Sequence, residues 1–164
     1  MSEKDPEMAR NHLIQLICLI STAAVLIIDS ILGIFGLGTT PVLGFIPWWM
    51  RLILFGFFMF FALTLILKSH KALFGDYFKS KTTPDHLVTD GVFEQTRNPL
   101  YIGTILTYFA FVVLTASLIG LGVVIGIVLV YNFILMDSEE KALEEIYGDE
   151  YREYKETARK WEVG

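Results

Sequence analysis

Two stretches of the chain gather polar side chains at spacings that suit chemistry. The first, Leu87 to Gly103, reads LVTDGVFEQTRNPLYIG. Asn98 followed by Pro99 predicts a helix start, because asparagine is a favoured N-cap and proline suits the first helical position. The N–H groups of such a turn, with Arg97 beside them, make a site for an anion. The second stretch, Ser138 to Tyr154, reads SEEKALEEIYGDEYREY. Its adjacent acids, Glu139 and Glu140, offer carboxylates to an amino group or a ribose hydroxyl. Each stretch also has a structural explanation: Arg97 anchors a helix at the lipid headgroups, and Asp137 with Glu140 forms a capping box. His86, just before the first stretch, would titrate near neutrality as a general base, or would contact the loop that follows it. Arg97 and His86 are the catalytic candidates, and neither is assigned a step.

The elements that position these residues follow from hydropathy. The chain has 164 residues, 54% of them hydrophobic, with a mean hydropathy of +0.54. A soluble domain of this size cannot hide so much apolar surface. A membrane helix needs about 20 apolar residues, and residues 13–37 and 48–67 supply two such runs, joined by the Gly- and Pro-containing link GLGTTPVLGFIP. From Leu100 to Met136 there are 37 residues without a charge. One straight helix of that length would reach roughly 55 Å, against a bilayer core of about 30 Å. The tract therefore folds back near Thr115–Gly122, into spans of about 100–115 and 119–136. The predicted fold is all-α and membrane-integral: four transmembrane helices in two hairpins, in a single domain over 1–164. An amphipathic C-terminal helix follows, since Leu143, Tyr147, Tyr151, Tyr154 and Ala158 recur at helical spacing. It would lie on the bilayer or fold back over the span ends. In this arrangement the last hairpin brings segments 85–103 and 137–158 to one membrane face.

Of 13 Lys and Arg residues, only Arg51 falls near an outer turn. The rest sit in the N-terminal tail, the loop 68–98 and the C-terminal tail, which predicts cytosolic N- and C-termini. The opening MSEKDPEMARNH lacks the basic start of a signal peptide, so the first apolar run is expected to remain. Asp29 and Arg51, the charges within the first two spans, are expected to pair near the far interface. Gly122 and Gly126 have the spacing of close helix packing. The net charge of −5 and the lack of a basic patch with interleaved aromatics argue against nucleic acid. Cys18, the single cysteine, permits no internal disulfide. No cluster has metal-ligand spacing, and no Gly-rich loop follows a strand as in the soluble dinucleotide fold.

The two polar stretches, in this order around a hairpin, resemble the integral-membrane methyltransferases comprising isoprenylcysteine carboxyl methyltransferase and phosphatidylethanolamine N-methyltransferase. The resemblance is carried by Leu87-Val88, Gly91, Arg97-Asn98-Pro99, Tyr101 and Gly103. It continues through Glu139-Glu140, Leu143, Tyr147-Gly148, Tyr151 and Tyr154, and so covers about residues 85–156. It implies S-adenosylmethionine as cofactor, held by residues from His86, Leu87, Val88, Gly91, Arg97, Asn98, Pro99, Tyr101, Gly103, Glu139 and Glu140. It also implies a lipid or lipidated small-molecule acceptor that enters from the bilayer at the cytosolic face. The cofactor's carboxylate, ammonium and ribose diol call for an anion site and an acid together.

The chain stands between the branches of that family. The carboxyl methyltransferases have His where Asn98 stands and Tyr where Phe93 stands, and they carry an arginine where this chain has Leu135. Asn98-Pro99-Leu100-Tyr101 is nearer the phospholipid branch, whereas the Leu-Val loop and Gly148-Asp149-Glu150-Tyr151 are nearer the carboxyl branch. The acceptor atom, oxygen or nitrogen, stays open. The alternatives are a prenylcysteine carboxyl methyltransferase proper, a non-catalytic four-span transporter or scaffold, and a nicotinamide-dependent sterol-reductase-like enzyme.

Overall fold

The computed structural model describes residues 5–37, 44–74 and 87–161. They are helical, with no strand among the described residues. Helix α1 covers Asp5–Ile34 and α2 covers Trp48–Phe74. A 3-10 turn at Gly91–Glu94 precedes α3, Pro99–Thr115. The apolar tract then breaks at Ala116 and Ser117, as its length requires. Ala116 takes a positive φ of 54°, and the Ser117 hydroxyl accepts the Gly120 N–H at 2.9 Å to open α4, Leu118–Val130.

Helix α4 does not stop at the end of the apolar run. It passes through a π-helical turn, Tyr131–Met136, into α5, Asp137–Tyr147. This corrects the capping-box reading of Asp137 and Glu140. Met136 is already helical at φ −65° and ψ −41°, and no side chain caps α5. A helix that continues from the preceding turn has no free N–H groups to satisfy. The chain breaks instead at Gly148, with φ at 56°, before α6, Asp149–Thr157.

Among the described residues three helices are long and apolar enough to cross a bilayer: Leu13–Ile34, Trp48–Leu73 and Leu118–Tyr147. Pro99–Thr115 is apolar but has 17 residues, about 25 Å of helix. Large apolar side chains such as Ile20, Ile53, Phe60 and Leu67 are exposed along α1 and α2. Such an outer surface suits hydrocarbon as solvent.

The chain divides into two compact units. The first comprises Met1–Gly56 and Tyr108–Val130. In it α1 meets α4 closely at Gly120, where a Cβ would lie 2.5 Å from Leu26 Cδ2. Arg51 donates through Nε to the Ile46 carbonyl at 2.8 Å, and Asp29 is buried on α1. Gly122 and Gly126 have no neighbour within 4 Å of a built Cβ, contrary to the packing expected of them. Two residues turn an α-helix by about 200°, so Gly122 points away from the face that Gly120 presents to α1.

The second unit comprises Phe57–Thr107 and Tyr131–Gly164. Its core is Phe93, Tyr151, Tyr154 and Ala158, with Leu73, Leu87, Leu143 and Tyr147 packed around them. The C-terminal apolar stripe therefore folds back onto the 3-10 turn. Gly103 lets α3 approach α2: a Cβ there would sit 2.7 Å from Ile66 Cγ1 and 3.0 Å from the Ala62 carbonyl oxygen. Backbone cannot yield as a side-chain tip can. Gly103→Ala is thus expected to lower stability by ~1–3 kcal/mol. Gly122→Ala, with open space, should be neutral or gain up to ~1 kcal/mol of helix propensity. Thermal melts of both variants in detergent check the contrast.

Candidate functional site

In the second unit the loop 87–98 lies against α5 and α6 around a cavity of about 210 Å³. Its polar lining comes from two walls, Arg97 and Asn98 on the loop and Glu139 and Glu140 on α5, and its apolar lining includes Leu73, Leu87, Val88 and Leu143. Phe93, Tyr147, Tyr151 and Tyr154 present aromatic surface to the same space. The volume lies below the roughly 300–1,000 Å³ of drug-sized sites, so the described walls enclose part of a ligand of that size.

Arg97 Nη1 approaches Glu140 Oε2 to 3.5 Å, with side chains only 11% and 13% exposed. The pair is ionic without closing a hydrogen bond. Arg97 Nε and Nη1 and Glu140 Oε1 are all buried and lack hydrogen-bond partners among the described residues. An unsatisfied buried polar atom costs about 1–3 kcal/mol, more when charged, and native structures hold few of them. Lys155 approaches the same Glu140 oxygen at 3.6 Å and Glu144 at 3.5 Å. It also lies over the Tyr151 ring, 5.8 Å from its centroid. Arg152 binds the outer side of Glu144 at 2.8 Å.

Tyr101 reaches the site indirectly. Its ring packs edge-on to Tyr131 at 5.3 Å, and its phenol lies within electrostatic reach of the Glu139 carboxylate. Tyr154 donates its buried hydroxyl to the Phe93 carbonyl at 2.7 Å, which fixes the 3-10 turn against α6. Burial pushes the Tyr154 phenol up to about 12, with the nearby Arg97 charge working against it. Burial also raises Tyr151, and the Glu140 carboxylate beside it adds to the effect.

Of the residues expected at the site, Leu87, Val88, Arg97, Asn98, Glu139 and Glu140 line the cavity. The others stand behind it. Gly91 shapes the loop with φ at 64°, Pro99 is fully buried at the start of α3, and Gly103 packs on α2. His86 lies outside the described residues. Asn98 does not use its amide on the helix that it precedes: Nδ2 donates to the Lys160 carbonyl at 3.3 Å. Leu135 is fully buried in the π-helical turn. The residues not expected here are Leu73 and the segment after Thr157, where Thr96 and Arg159 form an isolated parallel bridge. A larger cavity of about 520 Å³ lies in the first unit, lined by apolar side chains such as Leu19, Leu26 and Phe111. Its polar lining among the described residues is hydroxylic, from Thr22, Ser30, Tyr108 and Thr115, with no carboxylate or basic side chain.

A family model for phospholipid methyltransferases matches residues 48–150, more than half of the chain and both walls of the charged cavity. The chain belongs to the phospholipid methyltransferase family. With three helices fit to cross a bilayer, this member of the family is an integral membrane protein. It is also similar to methanethiol S-methyltransferase 1 of Bradyrhizobium diazoefficiens, at 31% identity over 107 residues. The aligned stretch covers 62% of this chain and 36% of that relative's length. No solved structure matches the chain.

The Tyr154 phenol sets a test of this packing. Below pH 10 the phenol is protonated in folded and unfolded chains alike, and its contribution is fully present. Between pH 10 and about 12 the unfolded chain ionises first, so stability should fall as pH rises through that window. Tyr154→Phe is expected to melt lower at neutral pH, by ~1–3 kcal/mol for the orphaned Phe93 carbonyl. It should also lose less between pH 10 and 12. Melts of both proteins across this range measure the difference.

Proposed function

We propose that the protein is an S-adenosylmethionine-dependent methyltransferase acting on a lipid-like acceptor at the cytosolic membrane face. The observation that carries this reading is the buried Arg97–Glu140 pair, whose guanidinium and carboxylate keep unpartnered atoms at a cavity. A ligand bearing both an anionic and a cationic or hydroxyl group would satisfy both. S-adenosylmethionine has this character, so the residues present fit it. Arg97 would bind its carboxylate, and Glu140 its ammonium or ribose hydroxyls. Glu139, which lines the same cavity, would supply a second acceptor beside Glu140. The apolar side formed by Leu73, Leu87, Val88 and Leu143 would exclude water from the remainder.

The cofactor, when bound, supplies a sulfonium methyl group for direct transfer to a nucleophile. The chain's own part is to bind and orient, since such transfers depend chiefly on positioning the reactants. Arg97 and His86 are the candidates for a catalytic role. On this reading Pro99–Thr115 is the fourth span, in a single membrane domain whose termini are both cytosolic. Family membership favours a lipid acceptor. The relative named for methanethiol gives a second reading, in which the acceptor is a small thiol. A buried leucine at 135 does not suit recognition of a prenylcysteine carboxylate, which argues against the carboxyl methyltransferase proper.

Calorimetry of the protein in detergent with S-adenosylhomocysteine tests the cofactor claim. Binding is expected for the natural sequence, and Arg97→Met and Glu140→Gln should each weaken it by ~1.5–3 kcal/mol, the range for hydrogen bonds to charged groups. Binding unchanged in both variants, or binding of NADPH instead, overturns the assignment. Methyl-labelled cofactor incubated with membrane lipid, and separately with methanethiol, distinguishes the two acceptors.

A further inference from the structure

We propose that residues 159–161 form a strap that sets the spacing between the two charged walls of the cavity, with Lys160 as its chief positioning residue. The inference rests on the reading of that cavity as the S-adenosylmethionine site. After α6 the chain turns extended at Ala158, with φ −98° and ψ 135°, and runs alongside Thr96. There its main chain takes hold of the Arg97 wall. The Arg97 N–H donates to the Arg159 carbonyl at 2.9 Å. The Lys160 carbonyl accepts twice, from Thr96 Oγ1 at 3.1 Å and from Asn98 Nδ2 at 3.3 Å. Thr96 in turn accepts the Asn98 N–H at 3.3 Å.

The side chains of the same segment grip the opposite wall. Lys160 Nζ donates to Asp137 Oδ1 at 2.8 Å and to the Asn132 carbonyl at 3.5 Å. Trp161 Nε1 donates to Asn132 Oδ1 at 3.0 Å. Asn132 belongs to the π-helical turn and Asp137 opens α5, the helix that carries Glu139 and Glu140. Lys160 thus joins the two walls through one residue, carbonyl to one and ammonium to the other. The polar partners of its ammonium are Asn132 and Asp137.

Something other than the ion pair must hold the walls apart. Left to themselves, a guanidinium and a carboxylate would close to a hydrogen-bonded fork of about 2.7–2.9 Å. Here they stand at 3.5 Å with polar atoms unpartnered. A scaffold that fixes Thr96, Arg97 and Asn98 against Asn132 and Asp137 keeps that gap open for a ligand. A π-helical turn suits the purpose, because it loosens the regular ladder of helix hydrogen bonds, and such turns recur at functional sites.

The test compares the natural sequence with Lys160→Met, Lys160→Arg and Trp161→Phe, each as the full chain in detergent. S-adenosylhomocysteine binding is measured by calorimetry, together with hydrogen exchange of residues 94–100 in the absence of ligand. Lys160→Met and Trp161→Phe are expected to weaken binding about tenfold, the scale on which small misplacements act. Both should speed exchange in that segment, and Lys160→Arg should restore both properties. Trp161→Phe keeps an aromatic ring while removing the indole N–H donor and part of the ring volume, so it decides the matter where Lys160→Met fails to fold. Natural binding and natural exchange in Lys160→Met and Trp161→Phe overturn the strap, as does a loss that Lys160→Arg does not rescue. If the natural sequence itself does not bind S-adenosylhomocysteine, the cofactor reading falls, and the exchange rates still decide whether the strap holds the loop.

Discussion

A guanidinium and a carboxylate taken out of water must recover in pairing and hydrogen bonding what they lose in hydration. Arg97 and Glu140 recover only part of it. They face each other across 3.5 Å, and three of their polar atoms have no hydrogen-bond partner. A fold keeps such a pair only where the surrounding packing enforces it, or where a ligand completes it. Much of the second unit does the enforcing. The aromatic core of Phe93, Tyr151 and Tyr154 holds the loop against α6, and the segment after α6 binds that loop to the start of α5.

The same constraint explains why the helices take the form they do. A long apolar helix that ended at the membrane surface would leave its acids loose in water. Instead α4 continues through a π-helical turn into α5, so Glu139 and Glu140 are placed by a rigid element. Lys155 and Arg152 then satisfy Glu144 on the outer side, where exposure makes each pair energetically small. Lys155 also shares Glu140 with Arg97. Glu140 therefore has a second cation beside it, which softens the cost of leaving it without a ligand.

Much of this was legible in the sequence, for reasons that lie in the residues. Long uncharged runs identify helices because backbone in hydrocarbon must satisfy itself, and the break at Ala116 and Ser117 falls inside the predicted turn. The facing of Leu143, Tyr147, Tyr151 and Tyr154 followed from their spacing. Arg97 and Glu140 were marked by charge at the ends of apolar tracts. What the sequence hid were features set by backbone rather than by side-chain type. Asp137 looks like a helix cap, yet the helix runs through it. Gly122 and Gly126 look like a packing stripe, yet α1 meets Gly120 instead. The contact of Thr96 with Lys160 spans 64 residues through a main-chain carbonyl, which any residue type would supply.

The central claim is that one ligand bridges Arg97 and Glu140. Hydrogen exchange measured with and without saturating S-adenosylhomocysteine tests it most directly, because the two residues lie on separate segments. Protection is expected in residues 94–100 and in residues 137–145 together, rising along a single binding curve. Saturating ligand that leaves both segments exchanging at their free rates would contradict it.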